Sequence, residues 1–225
     1  MGSLFITATG TGVGKTFIAC ALARALVAGG WPTDVLKPVL SGFDPKDPAN
    51  SDAGLLLQAL GRPLDEIERI SPWRFKTALA PPSAARAEGV KLTAAAVTKL
   101  CRERIEAAGD SMLLIEGAGG VMSPIADYAT NLDLAAELQS PVLLITGSYL
   151  GAISHTLTAL AAVRERGVPL VGLVVNESGG DAPPAAELIY ALKIYMPGLT
   201  VFPVRRDGGV DAAPIVGALV EQDWL

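Results

Sequence analysis

Apolar residues in this chain fall into short continuous runs, separated by longer segments in which Ala and Leu recur at helical spacing. Short unbroken apolar runs mark strands buried on both faces, and their alternation with helical segments marks a parallel sheet. The predicted strands are Leu4–Thr7, Asp34–Lys37, Met112–Glu116, Val142–Thr146, Val171–Val175 and Thr200–Phe202. The predicted helices are Thr16–Ala28, Ser51–Leu60, Thr93–Ala108, Ala152–Arg166, Pro184–Tyr195 and Ala213–Glu221. Gly29-Gly30 and Gly109-Asp110 stop the first and third helices, because Gly accepts the left-handed geometry at a helix C-terminus. The expected class is α/β, a mostly parallel central sheet flanked by helices, in one domain over residues 1–225.

Two segments break the alternation, Ser41–Asn50 and the Pro-containing stretch Ser71–Glu88 with Ala80-Pro81-Pro82. In parallel-sheet proteins such excursions lie at the ligand-bearing edge, so both read as substrate-side loops. Composition then narrows the function classes. Half of the residues are apolar and 18% are charged, a globular balance. A formal charge of −5 and a pI near 4.9 argue against non-specific nucleic-acid binding, which draws on Lys and Arg. The two cysteines, Cys20 and Cys101, lack metal-type spacing and sit in helical segments, so they read as reduced core residues. The first residues run straight into a strand, and no apolar run reaches membrane-spanning length, so the expected location is the cytoplasm, with no membrane partner.

The chemistry concentrates in the turn after the first strand. Thr9-Gly10-Thr11-Gly12-Val13-Gly14-Lys15-Thr16 follows an apolar run and opens an Ala-rich helix, the context of a P-loop. Small residues let backbone N–H groups face phosphates, the helix N-terminus adds a favourable field, Lys15 neutralises the β and γ oxygens, and the Thr16 hydroxyl can hold Mg²⁺. Such a loop needs a carboxylate for the metal. Glu116 supplies one as it leaves Met112–Ile115, beside the small residues Gly117-Ala118-Gly119-Gly120. Asp52 follows Ser51 at a helix start, where an acid facing the helix dipole is the reading that spacing favours over metal binding. Lys37 precedes Pro38 at the end of the second strand, expected next to the strand that bears the P-loop. From spacing alone, a phosphate-edge cation and a solvated surface lysine fit Lys37 equally.

Taken together, Gly14-Lys15-Thr16, Lys37-Pro38-Val39 with Ser41-Gly42, Asn50-Ser51-Asp52, Glu116 to Gly120 and Asn176 occur in the order and approximate spacing of dethiobiotin synthases, which the chain resembles over nearly its full length. The resemblance implies a P-loop NTPase fold and ATP- and Mg²⁺-dependent carboxylation of 7,8-diaminononanoate with CO₂, closing the urea ring of dethiobiotin. It implies that Lys15 and Lys37 are catalytic and that Thr16, Asp52 and Glu116 hold the metal. It assigns nucleotide contacts to Gly12, Val13, Gly14, Lys15, Thr16, Glu116, Gly119 and Asn176, with Asn176 reading adenine. Substrate contacts fall to Thr11, Lys37, Ser41, Gly151 and Ser154, the last two at a helix start that the family lends to the second subunit of a homodimer. Two departures stand out: Ala8 where the family commonly carries Gly, and Gly12 where it carries an acid. Gly151 and His155 match, while Ser154 stands where an Asn can occur. His155, the sole histidine, reads as a packing or polar-interface residue rather than a general base. The competing reading is a dimeric P-loop ATPase switch of the partition or placement kind, whose second signature lysine has Gly10 in its place here.

Overall fold

The computed structural model describes residues 2–225. In chain order the elements begin β1 (Ser3–Ala8), α1 (Lys15–Ala28), β2 (Thr33–Leu36), β3 (Val39–Ser41), α2 (Asp52–Ala59), α3 (Ile67–Ile70), β4 (Trp73–Phe75), α4 (Pro81–Ala87) and α5 (Ala94–Ala108). They continue with β5 (Met112–Glu116), β6 (Pro124–Ala126), β7 (Ala129–Thr130), α6 (Asn131–Glu137), β8 (Val142–Gly147), α7 (Ala152–Glu165), β9 (Leu170–Asn176), α8 (Ala185–Tyr195), β10 (Val201–Val204) and α9 (Ala213–Glu221). The main sheet has the order β10-β9-β8-β1-β5-β2, with every pairing parallel. All six predicted strands belong to it, and the α/β class holds.

Period-two alternation explains why these strands read as unbroken apolar runs. On β1, Leu4 and Ile6 join a core with Ile18, Leu22 and Leu26 of α1, Leu56 of α2 and Leu219 of α9. Phe5 points the other way, into a core with Val97 of α5, Leu134 of α6, Leu160 of α7 and Leu188 of α8. Both faces are covered, so apolar residues dominate both, and the polar Ser3 and Thr7 on the Phe5 face are buried with them.

The second strand does not neighbour the first as expected. β5 lies between them, pairing β1 on one side and β2 on the other. The chain leaves β1, crosses through α1 to the sheet edge at β2, and returns through β5 to the gap beside β1. Brought together at the C-terminal ends of β1 and β5, the phosphate loop and Glu116 share one rim, the edge where open α/β sheets hold their ligands. Lys37 also falls one residue beyond β2, where its N–H donates to the Ile70 carbonyl at 2.8 Å.

The two segments read as loops carry more structure than expected. β3 pairs in parallel with β4, Val39 opposite Trp73 and Ser41 opposite Phe75, and α4 occupies Pro81–Ala87. Proline at the first helical positions costs no hydrogen bond there, so the Pro81-Pro82 pair starts α4 rather than preventing it. Element ends shift by a residue or two elsewhere: Ser51 and Thr93 cap their helices from outside, accepting from Gly54 N–H at 3.1 Å and Ala96 N–H at 3.2 Å. Cys20 and Cys101 are buried free thiols. No helix among the described residues is long and apolar enough to cross a membrane.

Candidate active site

The phosphate loop joins β1 to α1 and turns into the helix at Gly14, whose φ of +97° is left-handed. A Cβ there would also stand 2.3 Å from Asn176 Nδ2, so only Gly fits both the turn and the neighbour. No acidic side chain occupies the first turn of α1, which leaves the positive end of its dipole uncompensated beside the loop. Lys15 is 7% exposed and donates from Nζ to the Gly10 carbonyl at 3.2 Å. Burial, reinforced by the Lys37 ammonium, lowers its pKa to about 8.

Opposite the loop stands a cluster of opposed charges. Lys37 Nζ lies 2.6 Å from Glu116 Oε1 and 3.0 Å from Asp52 Oδ2, and donates to the Gly117 carbonyl at 3.1 Å. Lys37 and Glu116 are 2% and 1% exposed, so the snorkelling surface lysine is ruled out. Burial is the largest influence on Lys37 and pulls its pKa down, but Glu116 and Asp52 together outweigh it and hold the ammonium above its ordinary value. Asp52 is the mirror case: burial raises its pKa, and Lys37 overcomes that to keep the carboxyl below the usual range. The Thr16 hydroxyl donates to Glu116 Oε1 at 2.9 Å.

Thr16, Asp52 and Glu116 therefore offer an all-oxygen donor set, the chemistry a hard divalent cation such as Mg²⁺ prefers. Glu116 Oε2 is buried and meets no protein partner, a spare acceptor of the kind a cation site supplies, so the residues fit such an ion. Ser41 Oγ is likewise buried without a partner.

Of the residues singled out in the sequence, Thr11, Gly12, Gly14, Lys15, Thr16, Lys37, Ser41, Asp52, Glu116 and Gly119 line one cavity of about 790 Å³. Val13 and Asn176 lie outside its wall and meet each other, Asn176 Nδ2 donating to the Val13 carbonyl at 2.9 Å. Asn176 closes β9 rather than following it. Gly151 and Ser154 are not brought to the cavity; they sit at the exposed start of α7.

Ala78, Leu79, Ala80 and Pro81, within the stretch read as a substrate-side loop, form the cavity's less polar wall, whereas sequence reasoning passed over Asn131 beneath it. Asn131 is fully buried and donates from Nδ2 to the Ala118, Gly120 and Ser123 carbonyls at 2.7, 2.8 and 3.3 Å. It thereby shapes the glycine-rich turn after Glu116. The signal was present: Thr130 and Asp133 form a capping box, the T-x-x-D spacing that opens α6 at Asn131.

Comparison with known proteins bears on this geometry. A family described as an AAA domain matches residues 2–223. The ATP-dependent dethiobiotin synthetase BioD of Phenylobacterium zucineum (strain HLK1) is 48% identical over 211 residues, covering 92% of this chain and 90% of that protein. The protein of the same name from Caulobacter vibrioides (strain NA1000 / CB15N) is 47% identical over 220 residues, 98% of this chain and all (100%) of its own. Among solved structures, a ParA family ATPase from Chlorobium tepidum TLS superposes with a TM-score of 0.53 at 16% identity, covering 98% of this chain and 89% of that one. At that identity the similarity is one of fold.

Proposed function

This chain belongs to the ATP-dependent dethiobiotin synthetase family, and on that premise we propose that it converts 7,8-diaminononanoate, CO₂ and ATP to dethiobiotin, ADP and phosphate with Mg²⁺. The observation that carries the reading is the single cavity in which a phosphate loop, a buried lysine between two carboxylates, and the Ser41 hydroxyl share walls with Leu79, Ala80 and Pro81. One end suits phosphates and a carbamate; the other suits an apolar chain.

In this reading one amine of the substrate adds to CO₂, losing a proton and giving a carbamate. A carbamate oxygen attacks the γ-phosphorus and ADP departs. The neighbouring amine attacks the carbonyl of the resulting mixed anhydride and gives up a proton, the C–O bond breaks, phosphate leaves and the urea ring closes. Every stage gathers negative charge on oxygen, so preorganised cations and donors matter more than a strong base. Lys15 serves the phosphoryl oxygens and Lys37 the carbamate, and Thr11 and Ser41 orient the diamine through their hydroxyls. Asp52, Glu116 and Thr16 hold Mg²⁺, which supplies charge neutralisation at the phosphates. Backbone N–H groups of Gly12, Val13 and Gly14 line the phosphates, Gly119 allows close approach, and Asn176 presents its amide to adenine.

The diamine also carries a free carboxylate at the far end of its chain. No arginine is among the residues lining the cavity. The start of α7 supplies N–H groups without intrahelical partners at Gly151, with the Ser154 hydroxyl nearby. Leu150 and Ile153 beside it are 91% and 40% exposed, as suits a surface that a second subunit covers. We therefore read the enzyme as a homodimer in which α7 of each subunit completes the partner's site, acting in the cytoplasm. The partition-type switch is the weaker reading, because it gives no role to Lys37 and Ser41 together. Incubation of the purified protein with ATP, Mg²⁺, bicarbonate and the diamine, followed by mass spectrometry, tests the proposal. Diamine-dependent phosphate release with a product of dethiobiotin's mass is expected; phosphate release indifferent to the diamine would favour the switch.

A further inference from the structure

Thr9 opens the phosphate loop, and its side chain joins two routes toward α7. Its Oγ1 lies 3.1 Å from Thr146 Oγ1 at the end of β8 and 3.5 Å from the Tyr149 hydroxyl. Thr146 Oγ1 continues to Thr156 Oγ1 at 2.9 Å, and the Tyr149 hydroxyl to His155 Nδ1 at 2.9 Å. Both routes thus end on the first two turns of α7. Thr146 and Thr156 are fully buried. Valine would fill the same volume with no polar atom to satisfy, so hydroxyls in series across a buried seam serve orientation rather than packing. The Tyr149 and His155 rings also tilt against one another, with centroids 5.6 Å apart.

We propose that Thr9, Tyr149 and His155 are positioning residues that hold the start of α7 in register with the phosphate loop of the same subunit. The proposal rests on the reading of the α7 start as the diamine carboxylate site. Phosphates draw the loop's N–H groups onto their oxygens, and Thr9 passes that adjustment through Tyr149 to His155, while the buried Thr146–Thr156 pair anchors the helix. Because α7 feeds the partner's site, nucleotide in one subunit tightens diamine binding in the other. With two separate sites and a shared element, the effect is a coupling free energy and is reciprocal, so diamine tightens nucleotide binding by the same factor.

Calorimetric titration of the diamine into the dimer, with and without Mg²⁺ and adenylyl imidodiphosphate, tests it. In the wild-type protein the analogue is expected to tighten diamine binding about fivefold or more. In Tyr149→Phe, which keeps the ring and loses the hydroxyl, the tightening should fall to about twofold or less while the analogue's own affinity stays unchanged. His155→Asn, whose amide reaches where Nδ1 stands, should retain the effect, and His155→Leu should lose it. A Tyr149→Phe dimer that only melts earlier and keeps the full tightening overturns the proposal, as does a wild-type dimer with none. Gly151→Glu separates the premise. If it binds diamine as tightly as wild type, the carboxylate reading of α7 falls and the coupling with it; if it binds weakly while Tyr149→Phe changes nothing, only the network is overturned.

Discussion

Lys15 is nearly buried, and burial with the nearby Lys37 ammonium brings its pKa to about 8 against 10.5 for the free side chain. A native pKa below the unfolded one means that folding disfavours the charged form, so at neutral pH this ammonium destabilises the fold. Raising the pH through 8 discharges native Lys15 while the unfolded chain keeps its proton up to about 10.5, so this contribution to stability improves across that window. Lys15→Met keeps the apolar stem and removes the charge. In EDTA-treated, nucleotide-free protein at pH 7 it should raise unfolding free energy by on the order of 2 kcal/mol, a gain that shrinks from pH 8 toward pH 10. Urea melts of both proteins at several pH values check this; equal stability at pH 7 would show the ammonium solvated. Lys37 differs, since its charge is matched by two carboxylates. Lys37→Ala should lower kcat by about a hundredfold or more, a barrier increase of roughly 3 kcal/mol, and wild-type kcat and KM would remove its assigned role. Asp52→Asn separates the two readings its position allowed. A shifted Mg²⁺ titration supports the metal role, whereas a lowered melting temperature alone supports the helix-dipole role.

At the scale of elements, what the chain declares by itself is what local physics decides. The phosphate loop was legible because small residues between an apolar run and an Ala-rich helix leave little else to build, and Glu116 because a carboxylate ending an apolar strand is costly unless it serves something. From spacing alone Lys37 was not decidable, and only the family resemblance assigned it, because its burial depends on β5 entering between β1 and β2, a non-local pairing that no spacing announces. The same holds for β3 and β4, three residues each, whose pairing stabilises strands too short to show a period. Helix α6 was missed for a different reason, since its seven residues are short and its capping box lay unread. Its first residue gives an element-scale prediction. Asn131→Leu keeps the side chain's branching but strips the donor from the Ala118, Gly120 and Ser123 carbonyls of the turn after Glu116, so unfolding free energy should fall by about 3 kcal/mol. Thr130→Val removes only the cap and should cost about 1 kcal/mol. Equal losses in chemical melts would mean that the turn, rather than the helix start, tolerates the change.

At the scale of the whole molecule, the cavity of one chain is equipped for the reacting end of its substrate but not for the other end. Lys15 and Lys37 are engaged with the phosphoryl and carbamate oxygens in the proposed chemistry, and no arginine lines the cavity. Gly151 starts α7 with a φ of +95°, a left-handed turn that exposes the first N–H groups of the helix and that side chains rarely adopt. Yet Gly151 and Ser154 do not line their own chain's cavity. If the partner's cavity receives them, each active site contains two polypeptides, and loss of function becomes a property of sites rather than of chains. Consider Lys15→Ala, which disables the phosphate loop, and Gly151→Glu, which sets a negative charge where the carboxylate binds. Each pure dimer should be inactive. In a mixed dimer one site combines both lesions and the other combines none, so an equal mixture, half of whose dimers are mixed after random exchange, should recover about a quarter of wild-type activity. Subunit exchange followed by tagged separation, then assay of the mixed fraction, measures this directly. A mixed dimer without activity, or a monomer active at assay concentration, would place the carboxylate site within one chain.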